Sequence, residues 1–98
     1  MTSTAPITVG VSLPLKGRYE KSAGVYYSRA YGMWETQSNE QSGLLGRAVQ
    51  LVVRDDEGEP AKTAENYRAL INDDHVDLLL GPCHSVLTEA CAPIVEEA

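Results

Sequence analysis

Three short apolar runs, rich in β-branched residues, recur along the 98-residue chain. Residues 7–13 read ITVGVSL, residues 48–55 read AVQLVVRD, and residues 76–80 read VDLLL. Each run has the length of a strand and is followed by proline, acidic residues or a Gly-Pro pair, which favour turns. Because few polar residues interrupt them, we predict strands that are buried on both faces.

The segment after the first run has helical periodicity. Between residues 22 and 40, apolar side chains recur at helical spacing and predict one stripe that faces the core: Ala23, Tyr27, Ala30 and Trp34. Gly24 and Gly32 lower the helix propensity of this segment. We therefore expect a first helix over residues 22–40, with some local irregularity.

Two further helices follow the second and third runs. Pro60 suits the first turn of a helix, where its missing N–H costs nothing, and this helix is expected to reach about residue 73. Its inward residues are predicted to be Ala64, Tyr67, Leu70 and Ile71. The last helix is predicted from about Ser85 to Ala98.

Strands that alternate with helices at this spacing predict βαβ units and a parallel sheet. Right-handed crossovers on both faces give a three-layer, doubly wound α/β fold with local strand order 2-1-3. In such sheets ligands bind beyond the carboxyl ends of the strands, where the strand order reverses. This rule selects three loops as the candidate site: residues 14–22, 55–59 and 81–85.

Composition and charge exclude several classes of function. A chain of 98 residues suffices for one small domain, and its net charge of −6 would repel a phosphate backbone, so nucleic acid is not an expected partner. No apolar run approaches the ~20 residues that a membrane span requires. The first six residues, MTSTAP, lack the basic and apolar regions of a signal peptide.

The loops carry no motif for a cofactor, metal or reaction. Neither G-x-G-x-x-G nor G-x-x-x-x-G-K-[ST] occurs, which argues against nucleotide sites and leaves no expected cofactor. The acidic run at residues 55–59 is interpreted as a turn that leads into a helix N-terminus rather than as a metal site. Cys83 and Cys91 are predicted to be free thiols, about 12 Å apart along one helical segment. We expect a binding protein and not an enzyme, since no nucleophile–base pair can be assembled.

The candidate ligand-binding residues come from the first and third loops. Tyr19 could give a ligand an apolar face and a hydroxyl, or could serve only in packing, and Ser22 adds a second hydroxyl. Ser85 is predicted to cap the last helix or to donate to a carboxylate held by the backbone N–H groups of that helix. His84 and Cys83 precede Ser85 and complete the set of predicted contacts.

The order of these segments resembles the leucine/isoleucine/valine-binding class of type I periplasmic binding proteins. The stretches that carry the resemblance cover nearly the whole chain: residues 7–17 (ITVGVSLPLKG), 43–51 (GLLGRAVQL), Asp55-Asp56 ahead of Pro60-Ala61, and 76–82 (VDLLLGP) followed by Ser85 and Thr88. Arg18 and Glu20 depart from the small residues usual in this class, so the resemblance does not extend to a plain aliphatic ligand.

The resemblance implies that residues 1–98 are the N-terminal part of lobe 1 of a bilobed receptor, whose second lobe is not in this chain. It further implies a periplasmic or extracellular receptor of an ABC importer, membrane-associated through its permease partner or a lipid anchor, that binds an amino acid or a similar small carboxylate or amide. A ligand-sensing regulator or receptor domain of the same fold is the alternative. Because the third strand would lack its outer neighbour, we also expect the chain alone to form a homodimer.

Overall fold

The computed structural model describes residues 5–17 and 19–98, and within them the strands and helices alternate as expected. The elements are β1 (Ile7–Leu13), a π-helical turn (Glu20–Gly24), α1 (Val25–Glu40), β2 (Val49–Asp55), α2 (Pro60–Asn72), β3 (Leu78–Leu79) and α3 (Ser85–Glu97). The signal-peptide interpretation, which concerns the first residues of the chain, falls largely on residues 1–4 and lies outside the described residues.

The three strands form one parallel sheet in the order β2-β1-β3, which confirms the predicted topology. β1 pairs with β2 over its whole length, from Ile7 opposite Val49 to Leu13 opposite Asp55. β3 pairs with β1 only at two positions, Val9–Leu78 and Gly10–Leu79. The third strand is therefore shorter than the predicted 76–80, because Val76 N–H donates to Leu70 O in α2 instead of entering the ladder.

Helices cover both faces of the sheet, as a doubly wound fold requires. On one face, Trp34 of α1 packs against a cluster of Ile7, Val9 and Val49. On the other face, α2 and α3 meet the sheet through Tyr67, Leu70 and Cys91, with several strand and loop residues packed around them. Of the predicted inward residues of α2, Tyr67 and Leu70 are buried, whereas Ala64 and Ile71 are half-buried. Trp34 is half-buried against the core.

The predicted stripe of α1 is wrong in two of its four positions. Tyr27 is 40% exposed and Ala30 is also exposed, whereas Tyr31 and Glu35 lie on the half-buried side of the helix. A π-helical turn over Glu20–Gly24 precedes α1, so it breaks the 3.6-residue count only between Ala23 and the later positions. Within α1 the apolar pattern misled because Glu35, a polar residue, takes a half-buried place, where its carboxylate accepts from Leu51 N.

Candidate functional site

The loop after β1 brings Tyr19 to the carboxyl end of the sheet. Tyr19 has a φ of 70°, a left-handed conformation that non-glycine residues adopt uncommonly. The π-helical turn follows directly and ends at Gly24, which lies against the backbone of Pro14; a Cβ atom at this position would collide with the Pro14 carbonyl oxygen. Gly24 is therefore required by a close approach of two backbones, whereas the sequence suggested only a weak point in a helix.

A buried polar network fixes the ends of β1 and β2 beneath this loop. Ser12 Oγ donates to Asp56 Oδ2 at 2.8 Å and accepts from Asn66 Nδ2 at 3.0 Å. Asn66 Nδ2 also donates to Asp55 O at 3.0 Å, and Asp56 Oδ1 accepts from Gly58 N at 2.8 Å. Ser12 and Asp56 are wholly buried and lose their hydrogen bonds to water on folding. The bonds of the network replace them.

Tyr67 extends the network to the end of β3. Its hydroxyl donates to Leu80 O at 2.6 Å and accepts from Ser12 N at 3.3 Å, so one side chain of α2 links β1 to the loop that follows β3. Burial raises the pKa of Tyr67 far above its usual value, and the hydroxyl keeps its proton as a donor. The first and third loops therefore start from a common, rigid base.

Two of the predicted ligand-binding residues contact one another across these loops. The rings of Tyr19 and His84 stack, with their centroids 4.5 Å apart and their planes inclined by 18°. They come from the loops after β1 and β3, the two strands between which the strand order reverses. The stack therefore lies at the switch point, where ligands bind in doubly wound sheets in general.

His84, and not Ser85, is the N-cap of α3. His84 Nδ1 accepts a hydrogen bond from Val86 N at 3.3 Å, and α3 begins at Ser85. The prediction that Ser85 caps the helix is therefore wrong: the helix begins at Ser85 itself, one residue earlier than it would if Ser85 were the N-cap. Ser85 is the first residue of α3 and is exposed, at the end of the helix whose first N–H groups have no partner within the helix.

The other two predicted site residues lie at the same end of the sheet. Ser22 is exposed on the π-helical turn, and Cys83 is half-buried in the loop before α3. Burial, and to a lesser extent the Asp56 carboxylate, raise the pKa of Cys83, so its thiol is protonated at neutral pH and a weak nucleophile. Cys83 and Cys91 are both free thiols. Arg18, which makes the first loop more basic, lies outside the described residues.

The acidic run at residues 55–59 forms a braced turn. Asp55 Oδ1 accepts from Leu15 N and from Glu57 N, both at 2.9 Å, so this carboxylate ties the loop after β1 to the loop after β2. Glu59 precedes α2 and makes no capping hydrogen bond with its side chain.

Across the described part of the chain, no three His, Cys, Asp or Glu side chains are grouped so that they could hold a metal ion. Within the same part, no helix is long and apolar enough to cross a membrane.

Comparison with known proteins identifies this arrangement. A family model described as periplasmic binding protein matches residues 6–98. The chain belongs to the periplasmic binding protein family. The family is one of binding proteins rather than enzymes, and the resemblance seen in the sequence is confirmed.

Solved structures of the family share the fold of this chain. LivJ of Streptococcus pneumoniae, a branched-chain amino acid transporter substrate-binding protein in complex with isoleucine, superposes with a TM-score of 0.88 at 21% identity over 94% of this chain and 26% of LivJ. An ABC transporter substrate-binding protein from Sphaerobacter thermophilus superposes with a TM-score of 0.76 at 31% identity, over 94% of this chain and 24% of that one.

A curated relative belongs to a sensory system. The substrate-binding protein BasB of the chemotactic signal transduction system of Halobacterium salinarum is 34% identical over 86 residues, which is 87% of this chain and 21% of BasB. This periplasmic binding protein chain thus spans about a fifth of that relative and about a quarter of the solved structures.

Proposed function

We propose that this chain is the N-terminal part of lobe 1 of a bilobed receptor, and that it supplies one wall of a site for an amino acid or a similar small carboxylate or amide. The stack of Tyr19 on His84 is the observation that carries the proposal, because it joins the two loops on which a doubly wound sheet binds its ligand. The second wall would come from chain beyond these residues, since relatives are about four times longer.

The chemistry of this wall suits a carboxylate. The first N–H groups of α3 carry a partial positive charge, and Ser85, exposed in the first turn, would offer its hydroxyl as a further donor. The buried carboxylate of Asp56 would not oppose such a ligand directly, because it already accepts hydrogen bonds from Ser12 and Gly58 and is covered by protein. The Tyr19–His84 surface would pack against apolar atoms of the ligand, with Ser22 and Cys83 at its margin.

Transport is the proposed role of the full-length protein. Several of the structural neighbours are substrate-binding proteins of ABC transporters, among them LivJ in complex with isoleucine. We place the full-length protein outside the cytoplasm, held at the membrane by its permease or by a lipid anchor, where it would deliver solute to the permease.

Ligand sensing is the second candidate, and the likeness to BasB favours it. BasB is a substrate-binding protein of a chemotactic system, and it is more similar in sequence to this chain than LivJ is. A signalling partner, instead of a permease, would then recognise the form in which the same two lobes are closed on a ligand. The two roles share one binding site and differ only in the partner, so gene disruption separates them: uptake of labelled amino acid is lost in the first case, and the swimming response in the second.

Calorimetric titration of the full-length protein with a panel of free amino acids tests the binding site. We expect at least one of them to bind, and Ser85→Ala to weaken that binding by about 1–3 kcal/mol, or roughly 5- to 150-fold, as for the loss of a hydrogen bond to a charged group. Ser38→Ala, on the last turns of α1, is the matched control and should leave affinity unchanged. An unchanged affinity in Ser85→Ala would remove Ser85 from the site.

A further inference from the structure

The backbone hydrogen bonds between β1 and β3 show which residues of β1 face β3. Thr8 O accepts from Asp77 N at 2.9 Å. Two residues further along β1, Gly10 O accepts from Leu80 N at 2.9 Å. Because backbone groups alternate in direction along a strand, Ser12 is the next residue of β1 that faces β3. In an unbroken parallel ladder, Ser12 N would donate directly to Leu80 O.

A tyrosine hydroxyl stands between the two groups of this expected ladder bond. Tyr67 Oη accepts from Ser12 N at 3.3 Å and donates to Leu80 O at 2.6 Å. Tyr67 is 1% exposed, so its hydroxyl and not water links the two strands. β1 and β3 are therefore held apart by one oxygen atom at their carboxyl ends, and their pairing ends at Leu79.

The ladder cannot resume beyond this point. The next bond in the same register would run from the N–H of residue 82 to Ser12 O, but residue 82 is Pro82, which has no N–H. Tyr67 therefore holds the backbone at Leu80, where the loop of residues 81–85 begins.

α2 has a fixed position relative to β1 and β2, so the hydroxyl of Tyr67 is itself well placed. Asn66, the preceding residue of α2, donates to Ser12 Oγ and to Asp55 O, both at 3.0 Å. The ring of Tyr67 lies in the buried cluster beneath α2 and α3. A hydroxyl held in this way can act as a spacer between two strands.

We propose that Tyr67 is a positioning residue for the ligand site, and that its hydroxyl sets the distance between the loops of Tyr19 and His84 by holding β1 and β3 apart. This proposal deepens the proposed function and rests on it. The centroids of the Tyr19 and His84 rings are 4.5 Å apart, at the short end of the range for stacked rings. The two loops therefore cannot come closer without displacing one of these rings.

Removal of the hydroxyl would change this distance. Ser12 N and Leu80 O would lose their common partner, and backbone groups that are buried without a partner are costly. The two groups would instead bond directly, which would draw Leu80 and the loop that follows it towards β1. The ring of His84 would then move relative to that of Tyr19.

Crystal structures of the full-length protein and of its Tyr67→Phe variant, both without added amino acid, test the spacing. Phenylalanine keeps the buried ring and removes only the hydroxyl. In the variant, we expect Ser12 N and Leu80 O to lie about 2.9 Å apart, as in a direct bond, and the His84 ring to be displaced from the Tyr19 ring. A variant in which the ring stack is unchanged would overturn the proposal.

A measurement on the wild type replaces this comparison if Tyr67→Phe does not fold. In nuclear magnetic resonance spectra of the full-length protein, the Tyr67 hydroxyl proton should exchange slowly with water. It should also show a nuclear Overhauser effect to the amide proton of Ser12. The absence of both signals would overturn the proposal, because the hydroxyl would then not lie between the strands.

Calorimetric titration of the full-length protein with the twenty free amino acids tests the effect on binding. For the amino acid that binds the wild type most tightly, Tyr67→Phe should weaken binding by roughly 2- to 13-fold, as for the loss of an aromatic pair. Asn39→Ala is the matched control. Asn39 also makes two hydrogen bonds from a helix to a strand, to Val49 N and Val49 O, but at the amino end of β2.

The control separates a positioning role from a general loss of stability. Asn39→Ala should leave the affinity unchanged although it too loses two hydrogen bonds. Equal weakening by both variants, or unchanged affinity in Tyr67→Phe, would overturn the proposal. If no amino acid binds the wild type, the proposed function fails, and the crystal structures alone decide whether Tyr67 sets the distance between the loops.

Discussion

The carboxyl and amino ends of the sheet are held together by different kinds of hydrogen bond. At the carboxyl end, Ser12, Asp56 and Asn66 bond to one another in the interior, with every partner supplied by protein. At the amino end, Thr8 and Asp77 exchange bonds that are exposed: Thr8 N donates to Asp77 Oδ2 at 2.9 Å, and Asp77 N donates to Thr8 Oγ1 at 3.0 Å.

This difference shows which end the fold holds rigid. Exposed hydrogen bonds compete with water and contribute little to stability, whereas a buried polar group is costly unless it is fully bonded. A buried network accordingly fixes its members in one arrangement. Here it fixes the starts of the loops that carry Tyr19 and His84, which is what a ligand site requires. The amino end, by contrast, needs only to keep two strands in register.

Matched aspartate variants should show the largest difference between the two ends. Asp56→Ala removes the acceptor of two bonds and leaves Ser12 Oγ and Gly58 N buried with fewer partners, and we expect it to lower the free energy of unfolding by about 3 kcal/mol. Asp77→Ala should cost clearly less, because water replaces the lost bonds. Urea unfolding of both variants beside the wild type provides the measurement.

Urea unfolding of the same variants at acidic pH gives a second test. Hydrogen bonds from Thr8 hold the pKa of Asp77 below its usual value. Its contribution to stability is therefore present above the usual carboxyl pKa and is lost as the pH falls through the lowered value, a loss that Asp77→Ala should not show. Equal costs for the two aspartate variants at neutral pH would contradict the distinction between the ends.

Tyr67→Phe should have an intermediate effect at the carboxyl end. The variant keeps the ring but loses the bonds to Leu80 O and from Ser12 N, at a cost of about 1.5 kcal/mol. Burial raises the pKa of Tyr67 in the folded chain, so above the usual tyrosine pKa the unfolded chain ionises first and wild-type stability falls. The wild type and the variant should therefore converge as the pH rises above 10. Parallel unfolding curves from pH 8 upward would show that the hydroxyl is not buried as described.

Most of the fold followed from local pattern, and the exceptions have identifiable causes. The order of strands, their parallel direction and the burial of Tyr67 and Leu70 in α2 were predicted from apolar runs and helical spacing. β3 was predicted too long because Val76 bonds to α2, a tertiary contact that composition does not report. The stripe of α1 failed because Tyr27 and Ala30 are exposed, whereas Glu35, a polar residue, is half-buried and accepts a hydrogen bond from Leu51 N of β2.

The sequence predicted that the loops of Tyr19 and His84 lie at one end of the sheet, and it did not predict their contact. The rule for parallel sheets selected the loops of Tyr19 and His84, but residues 65 positions apart in sequence carry no sign that their rings stack. The network of Ser12, Asp56 and Asn66 was missed. Its signal was present all the same, since a serine within an apolar strand and an asparagine beside the inward stripe of α2 each need a buried partner.

The chain has two histidines, one near each end of the sheet, and the same substitution at both gives the most direct test of where the ligand binds. Asparagine can keep the capping role of His84 and tolerates the positive φ of 51° at His75. His84→Asn therefore removes mainly the ring that stacks on Tyr19. In calorimetric titration of the full-length protein with its best amino acid ligand, we expect His84→Asn to weaken binding by about 0.5–1.5 kcal/mol, the range for an aromatic pair, and His75→Asn to leave it unchanged. If His75→Asn weakened binding and His84→Asn left the affinity unchanged, the ligand would bind at the amino end of the sheet, which would contradict the account.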